Sequence, residues 1–300
     1  MCIRDRFIPK QMSKKDYESI VIIDDDDITQ NNNNIENTEN NNNNNTDTDN
    51  IQLVEPKKRT RTKQLPLKKS LLNNEDIYEI GVDEAGRGPL FGPVYTAAVV
   101  LPKDNDLFDH TKMKDSKKFH SKKKIEEVAN YIKENAIAWS VTFEDEKSID
   151  DINILQATQK SMHNSILQTY KKLIEKKELE VQPDKVHLLI DGNYFNIMTI
   201  FDKKKNKIEQ FSHTTVEGGD NKYSAIAAAS ILAKVARDEY IDKLCSKNPN
   251  LAEHYGIDSN KGYGAKKHID GIKEHGITIW HRRTFGICKN YADSDENMYD

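Results

Sequence analysis

The order of apolar and polar positions changes character near residue 71. Beyond it, short apolar runs alternate with longer amphipathic stretches, the pattern of an α/β domain. A run closing at Val82 predicts a buried strand, a second spans 94–101, and a third covers 138–143 (AWSVTF). Residues 121–135 predict a helix between the last two, with Ser121 as N-cap and charge on the outer face. A longer helix over 152–177 leads through Pro183 to the apolar run 186–190 (VHLLI), another buried strand. A helix over 223–244 carries small residues, Ala225, Ala227, Ala228, Ala229 and Ser230, suited to close packing on a sheet, and a last helix covers about 266–275. Three early strands, a helix and a further strand predict a mixed sheet with helices packed on it.

Before residue 71 the pattern offers no core. An acidic run at 24–27 is followed by asparagine tracts at 31–34 and 40–45, with almost nothing apolar to offset the entropy of ordering, so disorder is predicted. Within this stretch, residues 20–27 (IVIIDDDD) resemble a SUMO-interaction motif, in which a short apolar strand adds to a sheet edge and the acids meet a basic rim. Residues 57–69 (KKRTRTKQLPLKK) form a basic block of the nuclear-import or nucleic-acid-tethering kind. Chance in a low-complexity tail and a solvated linker are the plain alternatives. The chain thus divides into an extension over 1–71, a folded domain over 72–290 and an acidic tail over 291–300.

Charge changes this picture only once it is divided. The net charge of −4 is an odd balance for a protein that handles a polyanion. Residues 1–56 hold 5 basic and 12 acidic side chains, residues 57–69 hold 7 basic and none acidic, and the remainder holds 33 against 37. Any phosphate-binding face must therefore be local. No run reaches membrane-spanning length, and three distant cysteines without C-x-x-C spacing fit a reducing intracellular compartment, cytoplasmic or nuclear.

The candidate chemistry lies where strands end in acid. The first strand delivers Asp83 and Glu84 into the turn Gly86-Arg87-Gly88. Adjacent carboxylates at the end of a buried strand repel each other and resist desolvation, so the arrangement calls for a cation. A plain turn capped by Asp83 is the alternative. The glycines loosely echo a dinucleotide loop, but Pro89 and Pro93 interrupt the helix such a loop must open. The run 186–190 repeats the grammar with Asp191-Gly192-Asn193, and acids at strand ends in α/β sheets converge on one edge. The nine histidines show no zinc spacing, and there is no serine nucleophile elbow.

The stretch DEAGRGPLFGPV resembles the signature of the ribonuclease HII family, and the likeness runs from about residue 77 to 285. Arg87 and Pro89 favour this family over ribonuclease HIII, which typically has a threonine and an acid there. The resemblance implies a ribonuclease H-like fold with a C-terminal helical extension. It also implies two divalent ions, Mg²⁺ or Mn²⁺, and cleavage of the RNA strand of RNA–DNA hybrids, with nicking 5′ of ribonucleotides embedded in duplex DNA. The family pattern needs a fourth acid beside Asp83, Glu84 and Asp191, and Asp220 and Asp238 are the candidates. Eighteen residues of continuous helix span roughly 27 Å, so both cannot serve one site, and Asp220 at the helix start is chosen, where free N–H groups and the helix dipole would hold it. The resemblance further implies substrate contacts at Gly86, Arg87 and Gly88, at Lys117 in Asp115-Ser116-Lys117-Lys118, and at Tyr263 in Lys261-Gly262-Tyr263-Gly264. Residues 281–285 (HRRTF) also match, whereas Gly218, Asn260 and Ala265 stand where the family usually has lysine, histidine and threonine. A monomer acting on nucleic acid, with SUMO-type or import-receptor contacts through the tail and none to membrane, is the expectation. A four-acid exonuclease and a non-catalytic hybrid-binding subunit are the other readings.

Overall fold

The computed structural model describes residues 66–177, 181–203 and 205–295, together with the backbone of 20–23. By internal packing the chain divides into Met1–Ile23 with Leu67–Asp300, and Asp24–Pro66, the latter outside the described residues but for Pro66. In chain order the elements are β1 (Ile20–Ile23), β2 (Tyr78–Ala85), β3 (Val94–Val100), α1 (Lys122–Asn135), β4 (Ala138–Glu144), α2 (Glu146–Lys177), β5 (Val186–Asp191), β6 (Thr199–Asp202), β7 (Lys207–Gln210), β8 (Ser212–Val216), α3 (Ser224–Lys247), α4 (Asn250–Tyr255), α5 (Ile257–Asn260) and α6 (Lys266–His275).

Five strands form a mixed sheet in the order β4-β3-β2-β5-β8. β3 runs antiparallel to both β2 and β4, while β5 is parallel to β2 and β8 parallel to β5. Alternation along β2 sends Ile80 and Val82 to one face, where they pack with Met162, Ile166 and Leu173 of α2 and with Leu188 and Ile190 of β5. On the other face, Ala97 and Val99 of β3 pack with the small residues of α3 and with Ile125, Ala129 and Ile132 of α1. The sheet is thus covered on both sides, and its central strands read as nearly continuous apolar runs for that reason. β1, β6 and β7 form a second, three-stranded sheet.

The α/β architecture and the mixed sheet flanked by helices match the sequence reading. Ser121 caps α1, its hydroxyl accepting from the Lys124 N–H. Helix α2 starts earlier than the expected residue 152, at Glu146, but Asn153 breaks it with a left-handed φ of 67°. The Asn153 Oδ1 then accepts from the N–H groups of Leu155 and Gln156, so the expected start is the cap of the second segment. Strands β6, β7 and β8 were not anticipated.

The expected domain edges need correction. Leu67 packs into the α3-side core, Lys68 exchanges backbone hydrogen bonds with Lys222 and Ser224, and the buried Glu79 carboxylate accepts from the Ser70 hydroxyl and the Leu71 and Leu72 amides. Residues 67–71 therefore belong to the domain, because they satisfy a buried charge. At the other end a 3₁₀ helix, Gly286–Asp295, runs past the expected boundary at 290. The apolar half of the 20–27 motif is a strand pairing with β6 of its own chain; residues 24–27 and 57–65 lie outside the described residues.

Helix α3 packs closely on β2. A Cβ at Gly81 would sit 2.2 Å from the Ala225 carbonyl carbon, a contact with backbone that cannot yield. Gly81→Ala should therefore push helix and strand apart and lower stability by about 2–3 kcal/mol or more, read from denaturant unfolding. An unchanged midpoint would show that this approach is looser than drawn.

Candidate active site

Asp83 lies on the same face of β2 as Gly81, so the close approach of α3 buries it, and it is 4% exposed. Its Oδ1 accepts from the Glu84 N–H at 2.7 Å. The Ser230 hydroxyl of α3 also supports it, and that hydroxyl lies 3.0 Å from the Ser116 hydroxyl. Burial lifts the Asp83 carboxyl well above its ordinary range, and the charges of Glu84 and Asp191 add to the effect. Burial raises Glu84 as well, while Arg87, whose Nη1 lies 3.3 Å from Glu84 Oε1, pulls it back.

Asp191 ends β5, the parallel neighbour of β2, in which Ile190 pairs with Val82. The register therefore sets Asp191 beside Asp83 at the carboxyl ends of two adjacent strands, where ligands bind in sheets of this kind. Asp191 Oδ1 accepts from the Gly219 N–H at 2.6 Å, and this ties the strand end to the 3₁₀ turn Gly219–Asn221. Asp220 sits in that turn, 5% exposed, raised by burial and then by Asp115 and Asp191, with Lys117 and Asn221 opposing.

The expected reason for Asp220 at this point is corrected. The amide of Ser224 at the start of α3 donates to Lys68 O, and the contact to the Asp220 carboxylate comes from the Asn221 side chain at 2.9 Å. Asp238 pairs with Lys234 at 2.9 Å, one helical turn away, whereas Asp220 feels the charges of Asp115 and Asp191.

A cleft of about 460 Å³ opens over this edge, lined by Asp83, Glu84 and Asp191, by the Gly86-Arg87-Gly88 turn, and by Lys117, Ser230, Lys234, Asp238 and Tyr263. Asp220 is not among the lining residues. Lys117 follows the cap formed by Asp115, whose Oδ1 accepts the Lys117 N–H at 2.9 Å, and the charges of Asp220, Asp115, Asp83 and Asp191 raise its ammonium. Tyr263 is 53% exposed, and a side chain at Gly88 would come within 3.7 Å of its ring. The structure thus brings together Asp83, Glu84, Asp191, the turn, Lys117 and Tyr263 in one cleft, with Asp220 beside Asp191.

Three participants escaped the sequence reading. Asp115 is buried; burial raises it, but the Lys117 N–H, the Asn221 amide and the neighbouring lysines outweigh that and hold it low. Ser230 was read only as a small packing residue, and Lys234 not at all. Ser230, Lys234 and Asp238 stand at i, i+4 and i+8 along α3, on one helix face, and that spacing was the available signal for the first two.

The donor set suits hard divalent cations: carboxylate oxygens only, with Asp83, Glu84 and Asp220 raised first by burial and further by neighbouring acids. Among the described residues no group of three or more His, Cys, Asp or Glu side chains is arranged so that it could hold a metal ion as it stands. The acids line an open cleft, which leaves room for water and substrate oxygens as further ligands.

The fold is similar to that of ribonuclease H2 from Pyrococcus horikoshii OT3, with a TM-score of 0.52 at 22% identity over 73% of this chain and 98% of that one. Fold and site together define a ribonuclease H-like α/β protein with a cluster of acids at one edge of its sheet. Residues 80–288 match the family model for ribonuclease HII. The ribonuclease HII of Bacteroides thetaiotaomicron is 44% identical over 214 residues, covering 71% of this chain and 92% of that one. That of Pelagibacter ubique is 44% identical over 205 residues, covering 68% and 94%. The chain belongs to the ribonuclease HII family and is a ribonuclease, a hydrolase, as the motif resemblance implied.

Raised carboxyls carry a consequence for stability. The folded state holds these protons more tightly than the unfolded chain, so stability falls as pH rises above the ordinary carboxylate range and the penalty is fully present once the raised groups have ionised. In chelator at mildly alkaline pH, Asp83→Asn should melt several degrees higher than the parent chain, and the gain should shrink as pH falls toward 4. A lower melting temperature for Asp83→Asn at every pH would show that packing, not repulsion, dominates at this position.

Proposed function

We propose that this chain is an endoribonuclease that hydrolyses the RNA strand of RNA–DNA hybrids and nicks 5′ of ribonucleotides embedded in duplex DNA, leaving 5′-phosphate and 3′-hydroxyl ends. The observation that carries the reading is one cleft holding both an acid cluster and a glycine-rich turn beside an exposed tyrosine. Two Mg²⁺ or Mn²⁺ ions, held by Asp83, Glu84, Asp191 and Asp220, would supply neutralisation of phosphodiester charge and activation of the attacking water.

The protein's own groups divide the remaining work. Lys117, exposed at the cleft and surrounded by four acids, is placed to meet a backbone phosphate. The turn offers backbone N–H groups, which suit a sugar hydroxyl better than a base edge. The 2′-hydroxyl is the only group that distinguishes a ribonucleotide from its deoxy neighbours. Tyr263, more than half exposed and facing Gly88, offers a flat apolar surface for the adjoining sugar. In this division the acids determine whether the strand is cut, and the turn with Tyr263 determines where.

The test is cleavage of two substrates, a duplex with one embedded ribonucleotide and an all-RNA strand in a hybrid, at fixed salt and metal. Asp191→Asn should be folded and inactive on both. Tyr263→Ala should lose on the order of 1–3 kcal/mol of positioning, mostly on the single ribonucleotide, because an all-RNA strand offers many equivalent registers. Tyr263→Phe should act like the parent chain. Turnover by Asp191→Asn would remove the metal assignment, and equal losses for Tyr263→Ala on both substrates would remove the junction reading. A covalently closed circular hybrid should also be cut, which an exonuclease cannot do.

A further inference from the structure

Two buried arginines take almost every carbonyl of the segment that carries the Gly86-Arg87-Gly88 turn. Arg282, fully buried, donates from Nε to Gly92 O at 2.8 Å, from Nη1 to Arg87 O and Pro89 O at 2.9 Å each, and from Nη2 to Gly86 O at 2.6 Å. Its backbone N–H donates to Leu90 O at 2.9 Å. Arg237 of α3, 2% exposed, donates from Nε to Pro93 O at 3.1 Å and from Nη2 to Phe91 O at 3.0 Å. Of the carbonyls from residue 86 to 93, only that of Gly88 is taken by neither arginine. The third Arg237 bond, from Nη1, reaches Lys261 O at 3.0 Å, in the loop that carries Tyr263.

Stability alone does not explain this arrangement. Burial pushes the Arg282 guanidinium down to about 9 and lowers Arg237 too, and the buried Glu146 that faces both forms no salt bridge with either among the described residues. Apolar side chains of similar volume often stabilise such a site more. What two planar guanidiniums provide instead is a fixed set of donors that turns the carbonyls inward and leaves the N–H groups of the turn for the cleft. Gly86, at φ +95°, is shaped to this: a Cβ there would lie 2.2 Å from Arg237 Nε.

The tyrosine is held from the same segment. The Thr278 N–H can only donate, so His281 Nδ1 accepts it at 2.9 Å and carries its proton on Nε2. That proton goes to His268 Nε2 at 3.0 Å, and His268 Nδ1–H donates to Tyr263 O at 2.9 Å.

We infer that Arg282 and Arg237 are positioning residues for substrate selection: Arg282 fixes the turn, and Arg237 fixes its distance to the Tyr263 loop. The inference rests on the proposal that the turn and Tyr263 read the ribonucleotide. Neither arginine lies among the four acids, so their loss should alter the preference between substrates more than the capacity to cut.

The experiment compares Arg282→Lys, Arg237→Lys and Tyr263→Ala in the full chain on the single-ribonucleotide duplex and the all-RNA hybrid. Melting curves and exchange of the 86–93 amides are recorded alongside. Lysine keeps the charge but offers one compact ammonium in place of the planar fork. Both lysine variants should lose about tenfold or more on the single ribonucleotide relative to the all-RNA strand, with faster exchange at residues 86–88. A selective loss in Tyr263→Ala with equal losses in both lysine variants would overturn the positioning role and leave the junction reading intact. Equal losses in Tyr263→Ala as well would overturn both. If neither lysine variant folds, the arginines serve the core and the inference is wrong; if one folds, its substrate ratio decides.

Discussion

Burial of mutually repelling carboxylates that a covered sheet forces together is the constraint on which this molecule turns. Asp83 is buried because α3 lies against β2 at Gly81, and Asp191 stands beside it because β5 is parallel to β2 in that register. Neither placement can be relaxed without separating elements of the core. The protein answers the repulsion in part, with the Ser230 hydroxyl on Asp83, Arg87 on Glu84, the Gly219 N–H on Asp191 and the Asn221 amide on Asp220. These contacts leave room for a cation, and Lys117 is a positive charge of the chain that feels Asp83, Asp191 and Asp220 together. A site built this way stores a folding penalty that binding can release, and it is attractive to a polyanion only after that release.

In the proposed reading, selectivity has a separate origin in the same fold. Backbone donors can read a sugar hydroxyl only if their peptide planes are held, and that requires partners for the carbonyls behind them. Here those partners come from residues far away in sequence, Arg237 on α3 and Arg282 near the C-terminus, so the turn is specified by tertiary structure and not by its own glycines. The segment 278–284 also fixes α2, since the N–H groups of Arg283 and Thr284 donate to Asp150. In the proposed reading, chemistry at the strand ends and recognition at the turn rest largely on different residues, with the Arg87–Glu84 pair as the link between them.

What the sequence disclosed follows from the range of each interaction. Strand-end acids are local: apolar run, acid and glycine are contiguous at both Asp83 and Asp191, and the sheet does the rest. Helix α1 was legible from its Ser121 cap and α3 from its small face. Strands β7 and β8 were not, because KIEQ and SHTTV are mostly exposed or half-exposed and bury no continuous face. Arg282 was invisible in its role, since a cation in the run His281-Arg282-Arg283 reads as surface until the carbonyls it serves, nearly two hundred residues earlier, are brought beside it. The domain edge at 71 was misplaced for a similar reason: Glu79 needs the amides of Leu71 and Leu72, and nothing in the tail's own composition announces that need.

The most direct test of buried, mutually repelling carboxylates as the governing constraint is calorimetric titration of the full chain with Mg²⁺ or Mn²⁺ at mildly acidic pH, in two buffers of different ionisation enthalpy. If burial and mutual charge hold the Asp83, Glu84 and Asp220 carboxyls above their ordinary range, divalent cations must displace protons. The apparent enthalpy should then depend on the buffer, and the proton release should decline as pH rises and the carboxyls ionise unaided. Binding with the same enthalpy in both buffers, at every pH, would contradict it.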